Sequence, residues 1–287
     1  MLTNEHHLIE PHAVFMGGYA LEHKVEEEVC ALLDDLHHVH PPIVTERDLE
    51  PQSAPQSAPL PVPVQKYLRR AGVIGKPRTL FAKMRLRGEF RRSRESAWMP
   101  TVSEQYNRID QPARLWYATM RVAPLINFYV RDIYASGEGV MNARLTRWIP
   151  FMDERHPYIT QGELMVVLND MIFFPSALLS PNITWESVDD YSARATLHDH
   201  DLSVSALFVF NEQYDVIDFV ANRYRDMGKK QYVQMEWHTP MRGHTEIHGV
   251  RVPTEGEVVW HPPGEAPLSY FRVKLVDVRH NDFSRYP

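Results

Sequence analysis

The strongest constraint on the fold is a series of long runs, rich in β-branched and aromatic residues, that fills the chain from Thr79 onward. Turn sequences separate these runs, as in antiparallel strands joined by short loops. About eight to ten such strands would form one large sheet, which must bury its apolar face on another element. The sequence therefore predicts a mainly β (α+β) protein built on an extended antiparallel sheet.

The run 202–210 shows the clearest two-residue period. Ser203 and Ser205 alternate there with five apolar residues: Leu202, Val204, Ala206, Phe208 and Phe210. Because successive side chains of a strand point to opposite faces, these apolar residues share one face. We predict that this face is buried.

One helix interrupts the series of strands, in the stretch TQGELMVVLNDMIFFPSALL. Apolar residues recur in it at helical spacing: Leu164, Val167, Leu168 and Met171. Thr160 and Glu163 have the spacing of an N-terminal capping box, and Pro175 is predicted to stop the helix. A large twisted sheet curls around such a helix, so we predict a β-cup or incomplete barrel around one mid-chain helix.

The N-terminal part of the chain has a different pattern. Apolar residues between Ala20 and Val39 recur at three- and four-residue steps, which predicts an amphipathic helix. Residues 50–63 are proline-rich and repeat PQSA, which is typical of a stiff linker. We predict a helical extension over 1–49, the linker over 50–63 and the antiparallel β-cup domain over 64–287. A linker of this kind would let the helix swap onto a second copy and form a homodimer.

The charge balance limits the classes of partner. The 287 residues include 31 Lys and Arg against 37 Asp and Glu, a formal charge of −6. This balance argues against binding to nucleic acid, which depends on clustered cations. No stretch reaches the roughly 18 apolar residues of a transmembrane segment. With one cysteine, Cys30, and no secretion signal, we expect a cytoplasmic protein.

Common cofactor and metal motifs are absent from the sequence. It contains no P-loop, no HExxH and no complete dinucleotide-binding fingerprint. Histidines cluster over 37–40, 198–200 and 238–248, but without a carboxylate at the spacing of a metal site. The pair in HDHD falls at a predicted hairpin turn, where polar residues are usual. We predict no cofactor and no bound metal.

Two charged residues lie on faces that should be buried. Alternation in FYVRDIY puts Asp132 on the side of Phe128 and Val130, where an unpaired carboxylate is costly. Alternation in VIDFVANRYR puts Arg223 on the side of Ile217, Phe219 and Ala221. An ion pair between Asp132 and Arg223 would satisfy both residues, either to fix the strand register or as part of an active site.

The mid-chain helix supplies two further acids. Glu163 and Asp170 are seven residues apart, about two turns, and therefore lie along one side of the helix. Facing an apolar cup, such carboxyls could divide acid and base roles. Alternatively, Glu163 serves only as the capping partner of Thr160, and Asp170 is a solvated surface residue.

Aromatic residues are abundant in or beside the predicted strands. We predict that six of them line a ligand pocket: Trp98, Trp116, Tyr134, Tyr224, Trp237 and Trp260. A cup lined by aromatic side chains with a few converging polar groups is the usual form of a small-molecule site.

Eight segments of the chain resemble an uncharacterised bacterial family of unknown function. They are VTERDL at Val44, PVQKYLRRAGVIGKP from Pro63, WMP at Trp98, DIYASGEGVMNARL from Asp132, QGELMVVLNDMIFFPSALL from Gln161, SARATL from Ser192, ANRYRD from Ala221 and GVRVPTEGEVVW from Gly249. The resemblance implies a cup-like fold similar to that of lipoprotein-sorting carriers, and it implies no particular reaction. Many members of that family begin with a transmembrane helix, whereas this chain has the amphipathic helix.

Two functions fit these observations. In the first, the cup encloses a mostly apolar small molecule and promotes a cofactor-independent cyclisation or isomerisation, with Asp132, Glu163 and Asp170 handling protons and Arg223 orienting them. In the second, the protein is a non-catalytic carrier of a lipid or hydrophobic metabolite. We favour the enzyme at this stage.

Overall fold

The computed structural model describes residues 23–50, 60–146, 149–228 and 231–286 and confirms the mainly β architecture. The helices are α1 (residues 23–33), α2 (Val62–Ala71) and α3 (Pro157–Asp170), with 3₁₀ turns at Leu36–His38, Glu46–Asp48, Met171–Phe173 and Pro175–Leu179. The strands are β1 (Phe81–Phe90), β2 (Met99–Arg108), β3 (Ala113–Ala123), β4 (Ile126–Ala135), β5 (Glu138–Leu145), β6 (Ile149–Glu154), β7 (Ile183–Asp189), β8 (Ser192–Asp199), β9 (Leu202–Phe210), β10 (Val216–Asp226), β11 (Tyr232–His238), β12 (Met241–Arg242), β13 (Thr245–Ile247), β14 (Val250–Val252), β15 (Glu255–His261) and β16 (Leu268–His280).

The strands form one 14-stranded sheet in the order β6-β5-β4-β3-β2-β1-β16-β15-β11-β10-β9-β8-β7, with β12 beside β15 and with β13 and β14 apart as a small hairpin. Helix α3 contacts β3, β4 and β5 from one half of the sheet and β9 and β10 from the other half. Because one helix touches both halves, the sheet curls around it. The predicted β-cup is confirmed, and the cup is open: β6 and β7 end the order of described strands, so the sheet does not close into a barrel.

The predicted strand count was too low, because several sequence runs contain a hairpin. In the run that begins at Ile126, strands β4 and β5 are joined by Ser136 and Gly137, which both have positive φ angles of 52° and 78°. Two such residues make a tight turn that matches the twist of the flanking strands. A turn this short barely interrupts the hydrophobic pattern, so the pattern predicts one strand in this run where the structure has two.

Alternation predicted most strand faces correctly. Four apolar residues of β9 lie on the buried face: Val204, Ala206, Phe208 and Phe210. Phe128, Val130 and Asp132 of β4 share the concave face. In β10 the prediction fails for Ile217, which is exposed. The pairing of β10 with β9 shifts register between Val216 and Asp218, and this bulge turns Ile217 outward.

The predicted capping box at Thr160 is wrong. Helix α3 begins at Pro157, and the ring nitrogen of His156 accepts the hydrogen bond from the Tyr158 amide as the N-terminal cap. Proline suits the first helical position because its missing N–H needs no partner there. The Thr160 hydroxyl instead accepts a hydrogen bond from the amide of Gly139 in β5 at 3.1 Å. Glu163 is therefore free of any capping role.

Helix α1 packs on the outer face of the sheet. The buried residues of the helix are Val25, Val29, Leu32 and Leu33, and Leu36 follows them. Together they form a second apolar core with residues of the sheet and the C-terminal segment: Phe81, Tyr106, Leu115 and Tyr286. Leu115 alternates with cavity-lining residues of β3, which places this core on the convex side. Arg131 of β4 and Arg108 of β2 form ion pairs with Glu28 and Asp35 respectively.

The predicted division into three parts stays a prediction. Residues 1–22 and 51–59, which include most of the predicted linker, lie outside the described residues. The helix predicted from Ala20 to Val39 is found over 23–33, and its first three residues belong to that undescribed part. Among the described helices, none combines the length and apolar character needed to cross a membrane.

Candidate ligand-binding cavity

A cavity of about 400 Å³ lies between the concave face of the sheet and α3. Its wall is largely apolar and includes Phe90, Met99, Trp116, Met120, Phe128 and Phe271. Charged and amide side chains from β2, β3, β4, β10, β15 and α3 also line it, as does Arg92 in the loop after β1. Most of the cavity wall is therefore apolar, and a smaller part of it is polar.

Strand register gathers the polar groups at one end of the concave face. Gln105 of β2 lies opposite Trp116 of β3, which lies opposite Asp132 of β4. In the next row, Asn107 lies opposite Arg114. Further along, β3, β4 and β5 contribute apolar residues to the rows: Ala118, Val130 and Ala143, then Met120 and Phe128. On β2, Ser103 and Thr101 lie opposite Ala118 and Met120. The cavity thus changes from polar to apolar along the strands.

Arg114 is the centre of a buried ion network. Its Nη1 donates to Glu163 Oε2 at 2.9 Å, and its Nε donates to Asp170 Oδ2 at 2.8 Å. Gln105 also donates to Asp170 through Nε2. All three charged side chains are at least nine-tenths buried. The two helix acids predicted to lie on one side of α3 are therefore brought together, and both are held by one guanidinium.

Sequence reasoning missed Arg114, although a signal existed. In RLWYATM it alternates with Trp116, Ala118 and Met120, just as Asp132 alternates with the apolar residues of β4. The same rule that singled out Asp132 would have placed Arg114 on the concave face. Gln105 and Asn169, which line the cavity as well, carry no comparable signal.

Asp132 lies in the cavity without the predicted partner. No ion pair joins it to Arg223 in the described ranges, and its Oδ1 has no hydrogen-bond partner there. Burial, reinforced by the neighbouring Glu163 charge, raises the pKa of Asp132 well above the usual aspartate value. Asp132 is therefore a buried carboxyl that lines the cavity. It can donate a hydrogen bond while it is protonated and accept one in either form.

Arg223 is held by stacking and not by a carboxylate. Its guanidinium lies 4.6 Å from the ring centroid of Trp237 and passes close over Gly162 of α3. A Cβ at Gly162 would approach Arg223 Nη2 to 2.9 Å, so the absence of a side chain makes room for the guanidinium. Its Nε has no hydrogen-bond partner among the described residues. Arg223 can therefore offer a donor to a ligand.

Two of the six predicted aromatic residues, Trp116 and Trp237, line the cavity. The other four lie outside the lining. Trp260 lies opposite Trp237 and stacks on Tyr270. The ring centroid of Trp98 is 4.4 Å from the guanidinium groups of both Arg91 and Arg272.

The two tyrosines of that group have partners elsewhere. Tyr134 donates its hydroxyl hydrogen to Asp199 at 2.6 Å. Tyr224 stacks on Tyr158 at 3.8 Å between ring centroids, because it alternates with Arg223 and points away from the cavity. The sequence pattern placed these aromatic residues in or beside strands, but it did not show which face of the sheet each side chain occupies.

The pKa of Asp170 leads to a pH prediction. Burial, opposed by Arg114, raises the pKa of Asp170 from 3.8 to about 6. Between pH 3.8 and about 6 the unfolded chain ionises at this carboxyl while the folded chain keeps its proton, so stability is lost over this range. Above it, both chains are ionised. We expect the free energy of unfolding, relative to Asp170→Asn, to fall by roughly 2 kcal/mol between pH 4 and pH 7. Urea unfolding of both proteins across this range measures it, and a difference that stays constant or grows with pH contradicts it.

Comparisons with known proteins give a family and distant structural likenesses, among them the two that follow. A model described as a family of unknown function, DUF6544, matches residues 50–273. The crystal structure of a LolA superfamily protein from Nitrosomonas europaea is 11% identical, with a TM-score of 0.39, over 78% of this chain and 94% of that one. That of a DUF1329 family protein from Desulfovibrio piger is 9% identical, with a TM-score of 0.41, over 77% and 92%. None of the curated proteins matches.

Proposed function

The chain belongs to DUF6544, a family of unknown function, as the resemblance in its sequence indicated, and we propose that it binds one amphipathic small molecule in the cavity and carries it chemically unchanged. The observation that carries this proposal is the division of the cavity. It has an apolar wall, and its polar end is lined by Asp132 and Arg223. Each of these two side chains holds one buried polar atom, Oδ1 and Nε respectively, without a partner among the described residues.

The apolar wall supplies affinity. Aromatic and methionine side chains line a space of about 400 Å³, within the usual size range of small-molecule pockets. Burying a ligand's hydrocarbon surface there contributes roughly 25 cal/mol per Å² of apolar area before the costs of association.

The polar end supplies orientation. A buried polar atom without a partner is costly, so a ligand group that meets Asp132 and Arg223 is favoured at this end. Arg223 donates, and Asp132 donates while it is protonated. A hydroxyl, carbonyl or carboxylic acid at one end of the ligand fits this pair, with its hydrocarbon part along the wall.

The carrier function accounts for the acids better than a cyclisation or isomerisation does. Glu163 and Asp170 are both hydrogen-bonded to Arg114, so each of them already has a partner within the protein. Of the three predicted proton-handling acids, Asp132 alone faces the cavity without such a bond in the described structure. The enzymatic alternative therefore depends on Asp132, and the experiment below tests it too.

The test combines native mass spectrometry with the binding and displacement of a fluorescent polyene fatty acid, which serves as the probe. We expect one molecule per chain, and Ala143→Phe, which fills the cavity from β5, should weaken probe binding at least about tenfold. Val276→Phe is the matched control, since Val276 is half exposed on β16 and does not line the cavity. It should bind the probe as the unmodified protein does.

Two results would decide against the carrier. If Ala143→Phe and Val276→Phe bind the probe equally well, the cavity is not the binding site. If a ligand recovered after long incubation has become an isomer, and Asp132→Asn prevents the change, the protein is a cyclase or isomerase.

A further inference from the structure

The outer face of β11 and β15 brings together two histidines and a glutamate that the sequence does not place in one motif. Glu236 and His238 are two residues apart on β11 and point to the same side. Glu236 lies directly opposite His261 of β15. One ligand atom from each of the three residues lies within 4.8 Å of the others.

The contacts of His238 identify what the cluster lacks. Its Nδ1 lies 2.7 Å from Asp218 Oδ2 on β10, and a carboxylate only accepts, so the proton of a neutral ring is on Nδ1. The lone pair of Nε2 then faces Glu236 Oε1 at 2.8 Å. A separation of 2.8 Å between two acceptors fits a shared proton, and a metal ion that replaces this proton would require Nε2 and Oε1 to move slightly apart.

A third donor favours the metal ion. A proton would join Nε2 of His238 to Glu236 and leave His261 without a role, although its ring centroid is only 4.2 Å from that of His238. A metal ion uses all three donors. A histidine that binds a metal ion through one ring nitrogen usually donates a hydrogen bond from the other, and a carboxylate acceptor there orients the ring. Asp218 is in the position of that acceptor for His238.

We propose that Glu236, His238 and His261 bind one divalent transition-metal ion, with Zn²⁺ as the best fit, and that Asp218 positions His238. Two imidazoles and one carboxylate are a donor set that Zn²⁺ uses with a fourth, open position. Mg²⁺ and Ca²⁺ prefer oxygen ligands alone. The site lies on the opposite face of β11 from Trp237, which lines the cavity, so it is separate from the ligand site.

The test is titration of the full chain, purified without a histidine tag, with ZnCl₂ in a calorimeter, and with CoCl₂ followed by visible absorption. We expect one Zn²⁺ per chain and the intense visible bands of four-coordinate Co²⁺. Glu236→Gln and His261→Gln should each weaken Zn²⁺ binding at least tenfold. Asp218→Asn, which keeps all three ligands, should weaken it roughly 10- to 100-fold.

His248→Gln is the control, because it removes an exposed histidine that also has a carboxylate neighbour, Asp277 at 3.1 Å. It should bind Zn²⁺ as the unmodified protein does. If Zn²⁺ does not bind, or binds equally to the unmodified protein and His261→Gln, the proposal is wrong. Glu236 and His261 are partly exposed, so these variants are expected to fold, and circular dichroism confirms that they do.

Discussion

Replacing Arg114 with methionine is expected to lower the free energy of unfolding by about 3 to 5 kcal/mol at pH 7.5. The change leaves Glu163 and Asp170 buried beside each other without the guanidinium that now pairs with both. Methionine keeps most of the length of the side chain, so lost packing contributes little. Urea unfolding followed by tryptophan fluorescence measures the loss.

Two comparisons separate charge from packing. Combining Arg114→Met with Glu163→Gln and Asp170→Asn removes all three charges, and most of the lost stability should return. Arg69→Met removes an exposed ion pair with Glu46 and should cost no more than about 1 kcal/mol. If the triple variant is as unstable as Arg114→Met, Arg114 stabilises the fold by packing and the network is not the reason.

Strand faces could be predicted from the sequence wherever the two-residue period is unbroken. The period holds through β9 and β4, and it put Asp132 on the cavity side. It fails at Ile217 because a bulge adds a residue to one strand without changing the composition of the run.

Partners across the cup could not be predicted in this way. Arg114 meets Glu163 and Asp170 because the sheet curls until β3 faces α3, and that curvature is a property of the whole sheet. The sequence identified both acids and Arg223 as cavity residues. It offered Arg223 as the partner of Asp132, whereas Arg223 stacks on Trp237.

Close approaches of the backbone show why the site needs the whole fold. A Cβ at Gly139 of β5 would lie 2.6 Å from the Cα of Thr160 in α3. The strand and helix are therefore in contact next to Glu163, whose own Cβ is 3.3 Å away from the same point. Glycine at this position lets α3 lie low enough in the cup for its acids to reach Arg114. Such a role is visible only once the strand and the helix are placed together.

Replacing Val29 with aspartate is expected to detach α1 from the sheet. Val29 is 1% exposed in the outer core, so the change removes a buried apolar side chain and would bury an unpaired carboxylate. We expect the free energy of unfolding to fall by at least about 3 kcal/mol. Cys30→Asp puts the same charge on the exposed neighbouring position of α1 and should have little effect.

Light scattering on the unmodified protein and on these two variants also tests the predicted homodimer. In the structure α1 docks on the sheet of its own chain, with Glu28 and Asp35 paired to Arg131 and Arg108. If the helix docks in this way in solution, the unmodified protein has the mass of one chain, and Val29→Asp exposes an apolar face and associates. If the helix is exchanged between two copies, the unmodified protein is a dimer and Val29→Asp reduces its mass. Equal masses and equal stabilities for Val29→Asp and Cys30→Asp would show that α1 does not use this face, because only one of the two charges would then be placed in an apolar core.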